Sequence, residues 1–131
     1  MMSNAINLHK EGLLTGPLYF DFVMGVKNTM PATMSQLGYL LTMLPEGAEW
    51  NLAGVAGMQI STILWAMGAG GHVRVGLEDN QYLYKGVKAT NVQLVERAIE
   101  LAKIAGREIA TAEEARNILG ISRHALAEYR I

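Results

Sequence analysis

The pattern that most constrains this chain is a strand-like segment followed by a helical segment, repeated three times. Segments 18–26, 50–55 and 72–78 are rich in branched or aromatic residues or alternate in polarity, which favours β-strands. Apolar residues at helical spacing follow each of them. Alternation of this kind predicts a parallel sheet with right-handed crossovers, and therefore an α/β fold.

The ends of the predicted helices carry their own signals. A Thr followed three residues later by Gln or Glu is the signature of a capping box, and it occurs at 33–36, 90–93 and 111–114. Further helices are predicted at 3–11, before the first strand, and from Ser122, after the last glycine stop. The sequence therefore predicts a helix, three strand–helix units and additional C-terminal helices.

Length and composition exclude several classes of protein. At 131 residues, the chain is about half as long as an eight-stranded (β/α) barrel, which needs roughly 250 residues. It contains no Cys, so a disulfide framework, a thiolate metal site and a cysteine nucleophile are excluded. A net charge of -1 provides no electrostatic footprint for nucleic acid. Because no linker divides the chain, we predict that residues 1–131 form a single unit.

The uncharged stretch 50–73 is the one candidate for a membrane span. It is long enough to cross a bilayer, but it contains Asn51, Gln59 and five glycines. A buried strand, a turn and a buried helix account for it better. The first five residues contain no basic region leading into an apolar run, so we expect no signal peptide and a cytoplasmic location.

Charged residues at the end of the third predicted strand form the main candidate site. Alternation over 72–78 places Arg74 and Glu78 on the face opposite the apolar side chains, where charge is costly unless it is paired or metal-bound. Gly76 between them leaves room for a ligand, and Asp79 lies at the C-terminal end of the strand, where ligands collect in parallel α/β folds. A purely structural ion pair between Arg74 and Glu78 is the alternative.

This segment resembles the terminal-strand signature of the β-keto acid cleavage enzyme family. The similarity continues on both sides of it and covers nearly the whole chain. The matching stretches are 22–26, 50–54, 70–80, 82–83, 85–87, 89–91, 93–95, 110–111, 114–116 and 118–120.

The resemblance implies a zinc-dependent (β/α)8 barrel of which this chain supplies the sixth, seventh and eighth strands. It also implies an activity, in which a β-keto acid and acetyl-CoA are converted to acetoacetate and a new acyl-CoA. By the same resemblance, Glu78 matches the carboxylate zinc ligand, Arg74 the active-site arginine and Asp79 the acid–base residue that deprotonates the keto acid.

The histidines depart from the family pattern. The family's remaining zinc ligands form a His-x-His pair on an early strand, whereas His9, His72 and His124 lie far apart here. A single carboxylate cannot hold a catalytic zinc, which takes about three protein ligands. We therefore expect the chain to correspond to the C-terminal part of a barrel. We expect the isolated chain to be catalytically inactive. We also expect its exposed strands to be covered, either by self-association or by the missing half of the barrel.

Two other classes compete with this reading. Segment 111–129 resembles a helix-turn-helix, a DNA-binding arrangement, but its surroundings carry balanced charge. Residues 107–131 contain four arginines and four glutamates, so the local net charge is zero and the usual positive charge for binding phosphate is missing. The second alternative is a non-catalytic α/β fragment that self-associates through its exposed strand edges.

Overall fold

The structure of the chain is a computed structural model, which describes residues 1–121. The helix predicted from Ser122, and with it the second half of the helix-turn-helix at 111–129, lies outside these residues. In chain order the elements are α1 (Met2–Lys10), β1 (Tyr19–Met24), α2 (Met34–Thr42), β2 (Glu49–Gly54), α3 (Gln59–Gly68), β3 (His72–Val73), β4 (Tyr82–Tyr84), β5 (Val87–Lys88), α4 (Asn91–Ile104) and α5 (Ala112–Ile118).

Three parallel strands form the main sheet, in the order β1-β2-β3. Tyr19 pairs with Glu49 at the start of the long β1–β2 ladder, and Asn51 pairs with His72 in the short β2–β3 ladder. Consecutive parallel strands require crossover connections, and α2 and α3 supply them. The predicted parallel α/β architecture is thus confirmed and is consistent with part of a barrel. The numbering of the strands as sixth to eighth remains a prediction.

The apolar core lies between one face of the sheet and the helices. Phe22 and Met24 of β1 and Trp50 and Leu52 of β2 are buried against α2 and α3. A second cluster joins α3 to α4 and includes Ile63 and Met67 of α3, Ala98 and Ala102 of α4, and the partly buried Val73, Val75 and Leu101. Because side chains alternate along a strand, the intervening residues point to the other face.

That other face is polar. It carries Tyr19, Asp21, Asn51, His72 and Arg74, which come from all three strands or directly follow them. Burial of the helix-facing side supplies most of the apolar stabilisation of the described sheet. The polar face is therefore available for chemistry.

The helix starts predicted at Thr33, Thr90 and Thr111 are confirmed, and two of the three predicted capping boxes form completely. Thr33 accepts a hydrogen bond from the Gln36 backbone N–H, at 3.2 Å. At 90–93 and 111–114 both halves of the capping box form, so the side chain of the third residue also accepts from the capping Thr backbone. Each cap satisfies N–H groups that have no partner inside the helix.

The predicted extent of the third strand is wrong. The ladder includes only His72 and Val73, although the Arg74 N–H still donates to Leu52 O at 3.1 Å. Beyond that point the backbone turns, because the N–H groups of Asp79 and Asn80 both donate to Gly76 O. Residues 76–80 therefore form a turn rather than the end of a strand.

A two-stranded antiparallel hairpin, β4–β5, follows this turn and was not predicted. Its strands contain three and two residues, too few for polarity alternation to be recognised. Gly86 in the turn has φ +80°, a conformation that glycine adopts at little cost.

Within residues 1–121, no helix has both the length and the apolar composition needed to cross a bilayer. The uncharged stretch 50–73 is divided among β2, α3 and β3.

Close packing of β2 on α3 predicts that Gly54→Ala destabilises the fold. A Cβ at Gly54 would overlap Thr62 Oγ1 and lie 2.8 Å from Met58 O. We expect the free energy of unfolding to fall by about 1–3 kcal/mol, as in other overpacked cores, measured by urea titration.

Gly38→Ala is the matched control, because Gly38 lies inside α2 with open space around its Cα. There the same substitution should stabilise the chain by about 0.5–1 kcal/mol, the helix preference of Ala over Gly. Equal effects at the two positions would contradict the packing argument.

Candidate active site

Arg74 lies at the centre of a charged cluster on the polar face, which we call the Arg74 cluster: Asp21, Arg74, Glu78 and Asp79. Its Nη1 donates to Asp21 Oδ2 at 2.6 Å, and its Nη2 donates to Glu78 Oε2 at 2.9 Å. Its Nε lies 3.3 Å from Asp79 Oδ2. One guanidinium thus binds three carboxylates, which its fork of five N–H donors permits.

Two elements of the fold bring the cluster together. Asp21 is in the middle of β1, on the face opposite the buried Phe22. Arg74 follows β3 directly and stays in register with β2 through its backbone bond to Leu52. The turn at 76–80 then returns the two acids toward the guanidinium.

The two neighbouring acids differ sharply in environment. The Asp79 side chain is only 6% exposed, whereas that of Glu78 is 83% exposed. Glu78 was predicted to lie on a strand face, and this is wrong because the strand ends at Val73. Its contact with Arg74 comes instead from the turn, as an i,i+4 pair at the solvent edge.

Burial governs the electrostatics of Asp79. Desolvation raises the pKa of Asp79 above its ordinary value, and the negative charges of Glu78 and Asp21 raise it further. The positive charge of Arg74 opposes this shift without cancelling it. The hydrogen bond to Asp21 in turn raises the pKa of Arg74, which therefore stays charged. The cluster pairs a fixed cation with a carboxyl group that binds protons more readily than usual.

Gly76 has the open surroundings that were expected. A Cβ at this position would meet only Asn91 Oδ1, at 3.7 Å. The same Asn91 oxygen accepts from the Leu77 N–H at 2.9 Å, which ties the turn to the start of α4. Leu77, predicted to face the helices, is instead 37% exposed because it belongs to the turn.

The described residues do not complete a zinc site by themselves. Over residues 1–121, no group of three or more His, Asp or Glu side chains is placed to hold a metal. Glu78 binds Arg74, and His72 Nε2 lies 2.9 Å from Glu49 Oε2. His9 contacts a backbone oxygen of Leu14, and His124 lies outside the described range.

Sequence reasoning missed Asp21, the partner of Arg74 on β1. Polarity alternation offered a signal, because Asp21 stands between Phe20 and Phe22 and must point away from them. The pair formed by Glu49 and His72 on the same face was missed as well. Neither could be connected to its partner without the parallel register.

Comparison with known proteins connects this geometry to a family. The family model described as beta-keto acid cleavage enzyme matches residues 1–121. A 3-keto-5-aminohexanoate cleavage enzyme from Fusobacterium nucleatum is 46% identical over 124 residues, covering 94% of this chain and 45% of the relative. The corresponding enzyme from Acetoanaerobium sticklandii is 44% identical, with the same coverage.

A 3-oxoadipate:acetyl-CoA acetyltransferase from Cupriavidus necator is 37% identical over 125 residues, covering 92% of this chain and 44% of the relative. The chain thus spans about half the length of the curated relatives it matches. The family match nevertheless extends from residue 1 through the whole described structure. The chain therefore belongs to the beta-keto acid cleavage enzyme family.

Proposed function

We propose that this chain supplies part of the active site of an enzyme that converts a β-keto acid and acetyl-CoA to acetoacetate and a new acyl-CoA. Family membership supports the reaction class, and the name of the Cupriavidus necator relative includes acetyl-CoA as a co-substrate. The observation that carries the proposal is the buried Asp79 held beside Arg74 at the end of the parallel sheet.

Asp79 is the proposed general base. A carboxylate that removes a proton from carbon works better when its pKa lies closer to the working pH, and burial shifts Asp79 in that direction. The proton would move from the α-carbon of the keto acid to the Asp79 carboxylate. The carbon nucleophile left behind would then attack the thioester carbonyl of acetyl-CoA and expel CoA thiolate. The thiolate would add to the original keto carbonyl, and the bond between that carbonyl and the α-carbon would break. This releases the new acyl-CoA and the acetoacetate enolate, which takes back the proton from Asp79.

Arg74 is the proposed electrostatic partner. Its Nη2 donates to Asp79 Oδ1 at 3.4 Å and its Nε lies 3.3 Å from Asp79 Oδ2, so the guanidinium holds the carboxylate in one orientation. Asp21, at 2.6 Å, fixes the guanidinium from the other side. A positive charge fixed in this way also stabilises negative charge that develops on the substrate.

We further propose that the chain needs a complement for turnover. Its relatives are about twice as long, and the described residues do not form a metal site alone. In this proposal Glu78, exposed at the edge of the cluster, is the one zinc ligand contributed here. The other ligands would come from the part of the enzyme that this chain does not match.

Replacing Asp79 tests the proposed reaction. The chain is assayed with acetyl-CoA and a panel of β-keto acids, alone and co-expressed with the part of the Fusobacterium nucleatum relative that it does not cover. We expect turnover only in the complemented sample. Asp79→Asn should lower it by about 100-fold or more, the usual contribution of a general base.

Glu100→Gln is the matched control, because Glu100 is exposed on α4 and outside the Arg74 cluster. It should leave turnover unchanged. Full activity of Asp79→Asn would remove Asp79 from the mechanism, and turnover by the chain alone would refute the need for a complement.

The titration of Asp79 provides a test that does not depend on activity. Because its folded-state pKa is raised, ionising Asp79 costs stability. Relative to Asp79→Asn, the unsubstituted chain should therefore lose stability as pH rises from 3.8, the ordinary value, through the raised pKa. Unfolding free energies measured across this pH range check the sign.

Asp21→Asn should lower the pKa of Asp79, because it removes a negative neighbour and frees Arg74 to pair with Asp79. Arg74→Gln should raise the same pKa by removing the stabilising cation. NMR titration of the Asp79 carboxyl carbon measures both shifts. A pKa at or below 3.8 in the unsubstituted chain would contradict the burial argument.

A further inference from the structure

A pocket of about 540 Å³ lies beside the Arg74 cluster, between the start of α3, the β4–β5 hairpin and α4. Its size is within the range of ligand sites, roughly 300–1,000 Å³. It adjoins the cluster directly, because the Ala56 N–H donates to Asp79 O at 2.8 Å and Asn80 lines the pocket. Asp79 and Glu78 themselves are not part of its lining.

The charge of the pocket is positive. Lys85 in the hairpin turn and Arg97 on α4 both line it, whereas no Asp or Glu does. Within residues 1–121 neither cation forms an ion pair with a carboxylate. A partly buried guanidinium without a counter-ion is costly, so this pocket favours an anionic occupant.

Two side-chain donors of residues that line the pocket lack an acceptor within residues 1–121. Arg97 donates to Leu83 O and to Gln59 Oε1, and Asn80 donates to the same Gln59 oxygen at 3.3 Å. Gln59 is only 1% exposed, and its Nε2 has no acceptor among the described residues; the same is true of Arg97 Nε. Both atoms are closed to solvent, so they contribute unneutralised partial positive charge behind the wall of the pocket rather than contacts with an occupant.

Helix α3 adds to this preference. Its first residue, Gln59, and the turn before it line the pocket, and no side chain caps the helix start. The positive end of the helix dipole therefore lies at the pocket wall, as in many phosphate sites.

Two tyrosines on β4 offer a flat surface next to these charges. Tyr82 and Tyr84 line the pocket and are 46% and 64% exposed. Exposed aromatic rings stack on nucleobases, and this stacking stabilises binding by about 1–3 kcal/mol per base. Cations and aromatic rings together fit a phosphate group attached to an aromatic base.

We infer that this pocket binds the phosphate-bearing nucleotide end of the CoA thioester, with Lys85 and Arg97 holding the phosphates. The inference rests on the proposed function, in which acetyl-CoA is the co-substrate. Among the reactants of that reaction, only the thioesters carry both phosphate and an aromatic base. The keto acids and acetoacetate offer a carboxylate alone.

Calorimetric binding to the 131-residue chain tests the site without any turnover. The probes are CoA, adenosine bisphosphate as its nucleotide fragment, pantetheine as its phosphate-free fragment, and inorganic phosphate. We expect CoA and adenosine bisphosphate to bind and pantetheine not to bind. Lys85→Glu should raise the Kd for CoA by about tenfold or more through charge reversal at the site.

Lys88→Glu is the matched control, because Lys88 is an exposed lysine of the same hairpin that does not line the pocket. It should change the Kd much less than Lys85→Glu does, since Lys88 does not line the pocket and solvent screens its charge. Both lysines are exposed, so neither variant should prevent folding; circular dichroism confirms this.

Three results would overturn the proposed site. They are the absence of CoA binding, equal effects of the two lysine variants on the Kd for CoA, and a chain that binds inorganic phosphate but neither CoA nor adenosine bisphosphate. The proposed function is tested separately by Asp79→Asn, which should bind CoA as tightly as the unsubstituted chain. CoA binding that depends on Lys85 would support the pocket even if turnover were absent. Turnover with Lys85-independent CoA binding would refute the pocket and leave the proposed function standing.

Discussion

The contacts of Arg74 with three carboxylates connect most of what is distinctive in this structure. They join the middle of β1 to the turn after β3, across 53 positions of sequence between Asp21 and Arg74. The guanidinium compensates for the partial desolvation of its partners, above all of Asp79, which is almost fully buried. Without this cation, a buried carboxylate would stand beside two other negative charges, and the turn at 76–80 would lose one of its contacts with the rest of the fold.

The two faces of the main sheet carry different kinds of side chain. One face carries the apolar side chains that pack on α2, α3 and α4, and the other carries the charged and amide groups. The Arg74 cluster adjoins the pocket lined by Lys85 and Arg97, and a backbone hydrogen bond from the Ala56 N–H to Asp79 O connects the two regions. In the proposed function these two regions would orient a carbon acid and the nucleotide end of its thioester partner. The opposite face would keep the strands in register.

Much of the fold followed from local sequence. Helices begin where a Thr cap satisfies free N–H groups, as at Thr90 and Thr111, and these signals require no knowledge of distant residues. The parallel order of the strands followed from their alternation with helices. The third strand was predicted too long, because polarity alternates through residues 72–78 whether or not a neighbouring strand is present to pair with them. The hairpin was missed because its strands, of three and two residues, are too short to show a repeated alternation of polar and apolar residues.

The amino-acid sequence alone identified three of the charges in the candidate site: Arg74, Glu78 and Asp79 share one short segment and one family resemblance. Only the tertiary structure decided their environments. It buried Asp79, left Glu78 in solvent, and brought Asp21 to Arg74. The reason is physical, because burial and long-range ion pairs depend on which elements pack together. Local sequence patterns indicate the conformation of a segment, whereas desolvation and ion pairs arise only when distant segments pack together.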